Sequence, residues 1–282
     1  MGNEKIAIMA DSACDLPMEL INHYNIKVIP LKVIYPDGEY SDRVDIQPST
    51  VYSRMPAEIP TTSMPSVNEI KELIGNIKQQ GFTHLLAIHI SSGLSGTVDA
   101  VRLAAKDFDS MVIKVLDSKT LSMGTGWMII EAAKSIANGF NFQEIVDRLH
   151  SLRERMKVFY ILETLEYLRK GGRIGQVAGM LGQFLDVKPV ISVNEEGKYF
   201  TYCKARGRSK SIEKLANIVE EAVNNSTIHL AVVHGGAAQE FEALVNRLKI
   251  LPNIKEFISS DISPALGVHT GPGLLGVCFY EA

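Results

Sequence analysis

The densest chemistry in the chain lies in seven consecutive residues, Ser91-Ser92-Gly93-Leu94-Ser95-Gly96-Thr97, which set hydroxyls and glycines between an apolar run and a helical pattern. Glycines let a backbone come close to a ligand, and free N–H groups at a helix start favour an anion. The anion is not a triphosphate. A phosphate loop needs Gly-Lys-Ser/Thr, and the only Gly-Lys here, Gly197-Lys198, is followed by Tyr199. The stretch also misses G-x-S-x-G by one residue, so the strained turn that exposes a catalytic serine is not indicated. Hydroxyls and backbone N–H groups without a lysine suit a carboxylate.

Two further segments carry polar groups in unusual company. Thr61-Thr62-Ser63-Met64-Pro65-Ser66 places hydroxyls just before the capping box Ser66-Val67-Asn68-Glu69. The run from Gly267 to Gly276 contains His269, Thr270 and Gly271, and spaces Gly271, Gly273 and Gly276 as G-x-G-x-x-G. A dinucleotide fingerprint would need a strand before it and a helix after it. The residues that follow, Val277-Cys278-Phe279-Tyr280, read as a strand, so the segment is expected to be a glycine-rich loop carrying one histidine. The seven histidines show no H-x-x-x-H spacing, so no zinc site is expected. Two basic clusters, 169–173 (Arg169, Lys170, Arg173) and 204–210 (Arg206, Arg208), read as solvated surface or as a docking face for an acidic partner.

The elements that must position these residues follow from periodicity. In the first half, apolar strand patterns at 6–10, 27–35, 83–90 and 111–116 alternate with helical patterns at 17–24, 67–77, 97–108, 123–138 and 142–156. That alternation predicts a mainly parallel, three-layer α/β domain, in which ligands sit beyond the carboxyl ends of the strands. The second half reads as a hairpin around 194–197, strands at 158–162, 228–234, 254–260 and 274–280, and helices at 209–223 and 237–250. This predicts a mixed-sheet α/β domain. The expected division is 1–160 and 161–282.

Composition narrows the function. Apolar residues make up 46% of the chain, enough for a sizeable core, and 29 basic against 32 acidic residues leave a net charge of −3. Bulk nucleic-acid binding is excluded on that balance. Cys14, Cys203 and Cys278 are far apart and odd in number, which points to a reducing compartment. With no signal-peptide pattern and no apolar run of about 18 residues, a cytoplasmic location is expected.

Taken together and in order, several segments resemble the DegV family of bacterial fatty-acid-binding proteins, in particular the binding subunits that present fatty acid to a fatty acid kinase. They are Asp11-Ser12 with Asp15-Leu16, Thr62 to Ser66, Ser92 to Thr97, Asp117-Ser118, Leu168 with Lys170 to Ile174, Lys188-Pro189, Ala205-Arg206 and His269 to Gly273. The resemblance implies two α/β domains with the lipid between them. It places the carboxylate on Thr62, Ser95 and His269, with Ser63, Ser92, Gly93, Gly96, Thr270 and Gly271 around them. It puts Arg206 near the ligand head and the partner, and Arg169, Lys170, Arg173 and Arg208 on the partner-facing surface. Met64 stands where many members carry Gln.

The expected function is therefore a carrier for a long-chain fatty acid in phospholipid metabolism, without catalysis or cofactor of its own. Its partners would be a fatty acid kinase subunit and, transiently, a membrane. Burying 14 methylenes is worth roughly 11 kcal/mol before ordering costs. The head group need only be satisfied by two hydroxyls and an imidazole, and a charged His269 would favour the anion. Met123, Met128 and Met180 could line the tunnel. The rival reading is a serine hydrolase or acyltransferase using Ser95 and His269, with Asp11 or Asp261 to orient the imidazole. A third is a small-anion sensor with a polar cleft.

Overall fold

Five residues, Ile6 to Ala10, are apolar toward both faces, and only a strand covered on both sides can bury such a run. In the computed structural model, which describes residues 4–180 and 187–282, they form the first strand of a parallel sheet. The side chain of Met180 lies outside the described residues.

The first half runs β1 (Ile6–Asp11), α1 (Met18–His23), β2 (Lys27–Ile29), β3 (Lys32–Tyr35), β4 (Gly38–Ser41), α2 (Pro48–Arg54), β5 (Thr61–Ser63), α3 (Val67–Gln79), β6 (His84–His89), α4 (Thr97–Ala105), β7 (Val112–Asp117), α5 (Met123–Ala137) and α6 (Phe142–Arg155). The second runs β8 (Lys157–Ile161), α7 (Glu166–Lys170), β9 (Val187–Val193), β10 (Tyr199–Arg206), α8 (Arg208–Asn225), β11 (Ile228–Gly235), α9 (Ala238–Leu248), β12 (Ile254–Asp261), α10 (Pro264–Thr270) and β13 (Leu274–Glu281). None of the helices among the described residues is long and apolar enough to cross a membrane.

The fold is the expected two-domain α/β arrangement. One sheet is parallel, in the order β2-β1-β6-β7; the other is mixed, in the order β10-β9-β8-β13-β11-β12, with only β11 and β12 parallel. The division expected at residue 160 falls inside β8, the first strand of the mixed sheet. Side chains of α3 and α4 bury one face of the parallel sheet around Met9, Ile74 and Leu85. Those of α8 and α9 bury one face of the mixed sheet around Leu215, Leu230 and Leu244. The remaining faces share one core, in which Trp127 of α5 and Tyr160 of β8 both take part.

Two departures from the sequence pattern matter for the site. The β-rich run 27–35 is not one strand. Pro30 interrupts it, having no N–H for a ladder, and β3 leaves for a small antiparallel sheet of order β4-β3-β5. That sheet carries Thr62, opposite Val33. The segment holding His269 is not a glycine loop but helix α10, capped by the Ser263 hydroxyl, with Pro264 at its first turn and Gly271 ending it at φ 68°. Ser-Pro at the start and Gly at the end are a helix signature, masked here by the density of glycine.

Candidate functional site

Thr62 and His269 are 207 residues apart in sequence and touch in the fold, with Thr62 Oγ1 2.7 Å from His269 Nε2. They line a cavity of about 340 Å³ together with Ser63, Ser95, Gly96 and Arg173. Its remaining wall is mostly apolar, formed by Leu31, Met64, Ile90, Leu94, Ala265 and Leu266, with Tyr199 beside them. Three structural devices bring the polar groups there. The capping box of α3 forms as expected, with Glu69 accepting from Ser66 N at 2.8 Å, and Glu69 also pairs with Lys32 of β3 at 2.6 Å. This ties the α3 cap to the sheet that carries Thr62, and holds the Glu69 carboxyl at about 2, mainly through Lys32. Asp11 accepts from Ile90 N and from His89 Nδ1, at 2.9 and 3.0 Å, and so fixes the strand end from which the Ser91–Gly96 loop departs. Asp15 accepts from Ser263 N at 2.7 Å and thereby pins the start of α10 to the first domain.

The imidazole of His269 is held neutral, so the charge that would favour the anion is not on this ring. Burial, and then the nearby Arg173 guanidinium, push its pKa down to about 4. Its Nδ1 is buried without a partner. A proton there would be an unmet buried donor, so the proton sits on Nε2 and is donated to Thr62 Oγ1. The Thr62 hydroxyl is then left with its own O–H to give, and the pair presents a donor to an acceptor-only ligand. The close packing that leaves Nδ1 dry depends on Gly171, since a Cβ there would stand 2.1 Å from Nδ1. Arg173, expected on the docking surface, lines the cavity and donates to Gly171 O at 2.7 Å. The positive charge at the site therefore belongs to Arg173.

The depressed histidine has a consequence for stability. The unfolded chain protonates His269 near 6.5 and the folded chain only near 4, so the unfolded state binds more protons between these values. The stability contributed by the neutral imidazole is complete above pH 6.5 and is lost as pH falls toward 4, by roughly 3 kcal/mol. His269→Gln is expected to remove that slope. Urea unfolding at pH 4.5 and 7.5 should show wild type losing more stability on acidification than the variant, and parallel losses would mean that the imidazole is charged in the fold.

Other expected site residues lie elsewhere. Ser92 donates to Asp117, and its hydroxyl accepts from Lys119 at 3.1 Å, so it anchors the loop rather than a ligand. Gly93 lies against the β9–β10 turn; its Cβ would be 2.7 Å from Gly197 O, next to the Ser91 hydroxyl that donates to the same carbonyl. Thr270 turns back to Leu266 O at 3.0 Å, and Gly271 ends α10 against the Tyr167 ring. Arg206 and Arg169 are exposed and outside the cavity lining, and Lys170 pairs with Glu166 at 2.6 Å. Arg208 is held by both oxygens of Glu240, which joins α8 to α9. Met123 and Met128 are core residues and do not line the cavity. The wall residues Leu31, Ile90, Tyr199, Ala265 and Leu266 carry no motif, and only the topology could have found them.

The hydrolase geometry does not form. Ser95 Oγ pairs with Thr97 Oγ1 at 2.8 Å, while the hydroxyl on His269 is that of Thr62. Neither candidate carboxylate reaches His269, because Asp11 holds His89 and Asp261 holds His234 Nε2 at 2.7 Å. Without an orienting carboxylate the imidazole has no triad to serve.

A parallel sheet and a mixed sheet border a cavity lined by hydroxyl, imidazole and guanidinium groups among mostly apolar residues, in a fold of two α/β domains. The chain belongs to the DegV family: the family model, described as uncharacterised proteins of the DegV family, matches residues 5–282. It is 44% identical over 278 residues to a DegV domain-containing protein of Clostridium acetobutylicum, covering 99% of both chains. Among solved structures it is similar to a fatty-acid-binding DegV family protein from Thermus thermophilus, with 29% identity, a TM-score of 0.92 and coverage of 99% of this chain and 100% of that one. DegV of Bacillus subtilis, a fatty-acid-binding protein, matches at 26% identity and a TM-score of 0.91 over 99% and 100% of the two chains. A stearic-acid-binding protein of Eubacterium ventriosum matches at 26% identity and a TM-score of 0.85 over 99% and 98%.

Proposed function

We propose that this protein binds a long-chain fatty acid between its two domains and holds it for a partner. The observation that carries the reading is the Thr62–His269 pair, which lines, with Ser95 and Arg173, a cavity whose wall is otherwise mostly apolar. The volume of about 340 Å³ falls in the range of ligand pockets. Donors without acceptors recognise a carboxylate, and Arg173 compensates its charge. Leu266 borders both this cavity and a second of about 20 Å³, lined by Leu121, Val158 and Tyr160, which gives the chain a path into the shared core. The fatty acids bound by the structural relatives support the same ligand class.

The protein acts as a carrier with no catalytic step and no cofactor of its own. The carboxylate stays near the surface, where Ser63, Gly96 and Arg173 are exposed. A separate kinase docks on the face carrying Arg169, Arg173 and Arg206 and phosphorylates the acid to an acyl phosphate for phospholipid synthesis. Exchange of ligand takes place in the cytoplasm, with transient contact at a membrane. The test is mass spectrometry of the freshly purified protein, native and then denatured with lipid extraction. About one fatty acid per chain is the expected result. A ligand-free protein that also fails to take up added stearic or oleic acid overturns the reading.

A further inference from the structure

The second, smaller cavity lies in the shared core and is lined mostly by apolar residues, including Leu121, Val158, Val233 and Leu274, while the Ser122 and Thr270 hydroxyls on its wall are already given to Asp15 and to Leu266 O. Into this surrounding the sequence inserts a tyrosine, Tyr160. Alternation along β8 sends Val158 and Tyr160 into the core between the sheets and Phe159 and Ile161 to the opposite face. A ring at this position could be Phe at no cost in burial. The hydroxyl is nevertheless present, is sealed from solvent, and makes no hydrogen bond. Tyr199 stands alongside, its ring centroid 5.5 Å away and the planes at 73°, and its phenol is the polar group that acts on the Tyr160 hydroxyl, at a geometry that does not satisfy it. Tyr199 lines the larger cavity and Tyr160 the smaller, so the two phenols mark the junction between them.

Buried hydroxyls in folded proteins are almost always satisfied, and an unmet one costs a tenfold or larger factor in the equilibrium it opposes. Of the buried unpartnered groups among the described residues, those of His269 and Tyr160 border these two cavities. The first is explained by the tautomer that serves Thr62. The second has no use for a wholly hydrocarbon tail. Burial, and then Tyr199, raise the Tyr160 pKa well above its ordinary value, so the group stays a protonated donor.

We infer that Tyr160 is a specificity residue for an oxygenated acyl chain, namely that the preferred ligand is a long-chain fatty acid bearing a hydroxyl or oxo group along its tail, which pairs with the Tyr160 hydroxyl beside Tyr199. This rests on the fatty-acid reading above and refines it. A pocket built to hydrogen-bond an oxygen discriminates strongly against the analogue that lacks one, whereas a purely apolar pocket discriminates weakly. The smaller cavity of about 20 Å³ has room for one water-sized group, the size of a hydroxyl.

The experiment measures dissociation constants of delipidated protein for stearic acid and for a set of hydroxystearic and oxostearic acids substituted from C8 to C14, on wild type and on Tyr160→Phe. At least one oxygenated isomer is expected to bind wild type about tenfold more tightly than stearic acid. Tyr160→Phe should bring that ratio to within about twofold of unity, and Tyr199→Phe should reduce it less. Thermal unfolding of both variants checks that the fold persists, and the wild-type ratio decides the matter if either fails to fold. If stearic acid binds but no oxygenated isomer is favoured, or if the preference survives Tyr160→Phe in a folded variant, the inference falls and the fatty-acid reading stands. If no acid binds at all, the fatty-acid reading itself falls.

Discussion

Replacing Thr62 and Ser95 together by alanine is expected to weaken binding of a long-chain fatty acid by at least 100-fold, with little change in thermal stability. A hydrogen bond to a charged acceptor contributes about 1.5–3 kcal/mol, and 1.4 kcal/mol is a factor of ten. Two such bonds lost from one carboxylate give a factor between 10² and 10⁴ if they add, and somewhat less if the remaining donors re-form around the head group. The fold should tolerate both changes. Thr62 lies partly exposed on an edge strand of the small sheet, and Ser95 is half-buried in a loop. The single changes are also informative. Thr62→Ala removes the group through which His269 acts, so it should cost more than Ser95→Ala, whose hydroxyl is shared with Thr97. Titration calorimetry with stearic acid checks the ordering. An affinity within threefold of wild type for the double variant would remove the carboxylate from these hydroxyls. It would then leave the hydroxyls as loop caps.

The limits of what the sequence disclosed follow from how each group is held. Both sheets were legible, because buried strands and amphipathic helices leave periodic traces, as in Ile6 to Asp11 and in α3 behind its capping box. Thr62, Ser95 and His269 were legible as motif residues, although nothing in their spacing says that Thr62 and His269 touch across 207 residues. A cation in the Lys-Gly-Gly-Arg run reads as surface. Arg173 is exposed, and only the fold adds that it also borders the cavity. The protonation state of His269 is hidden for a related reason. Its charge is decided by burial in α10 and by Arg173, both products of tertiary packing. Gly171 shows the converse. It stands in a basic cluster that reads as solvated surface, whereas its missing side chain is what admits the histidine ring. Residues whose role is to fill space, such as Ala265 and Leu266, have no signature until the neighbour that needs the space is known.

The larger effect on stability is expected from Trp127→Ala, at roughly 3–5 kcal/mol. Trp127 is the only tryptophan and is fully buried in α5 of the first domain. Its contacts are in the second: the indole N–H donates to Cys278 O at 3.2 Å, and the ring meets His229 and Tyr280 edge-on at 5.5 and 5.6 Å. Removing it takes away apolar area and a hydrogen bond and opens a void in the core that the two domains share. A domain of ordinary stability has about 5–15 kcal/mol in total, so the variant should be marginal at 37 °C. Trp127→Phe keeps most of the area and loses the donor, and should cost about 1–2 kcal/mol. Urea unfolding followed by circular dichroism tests both. The functional link is that α5 also packs against β1 and β6, the strands that lead into the ligand loops. A loosened α5 should therefore release bound fatty acid faster even where Thr62, Ser95 and His269 are intact, so stopped-flow displacement should show a raised off-rate in Trp127→Phe. A loss below 1 kcal/mol in Trp127→Ala would mean that the two domains hold together without this contact, and that the shared core is divided between them.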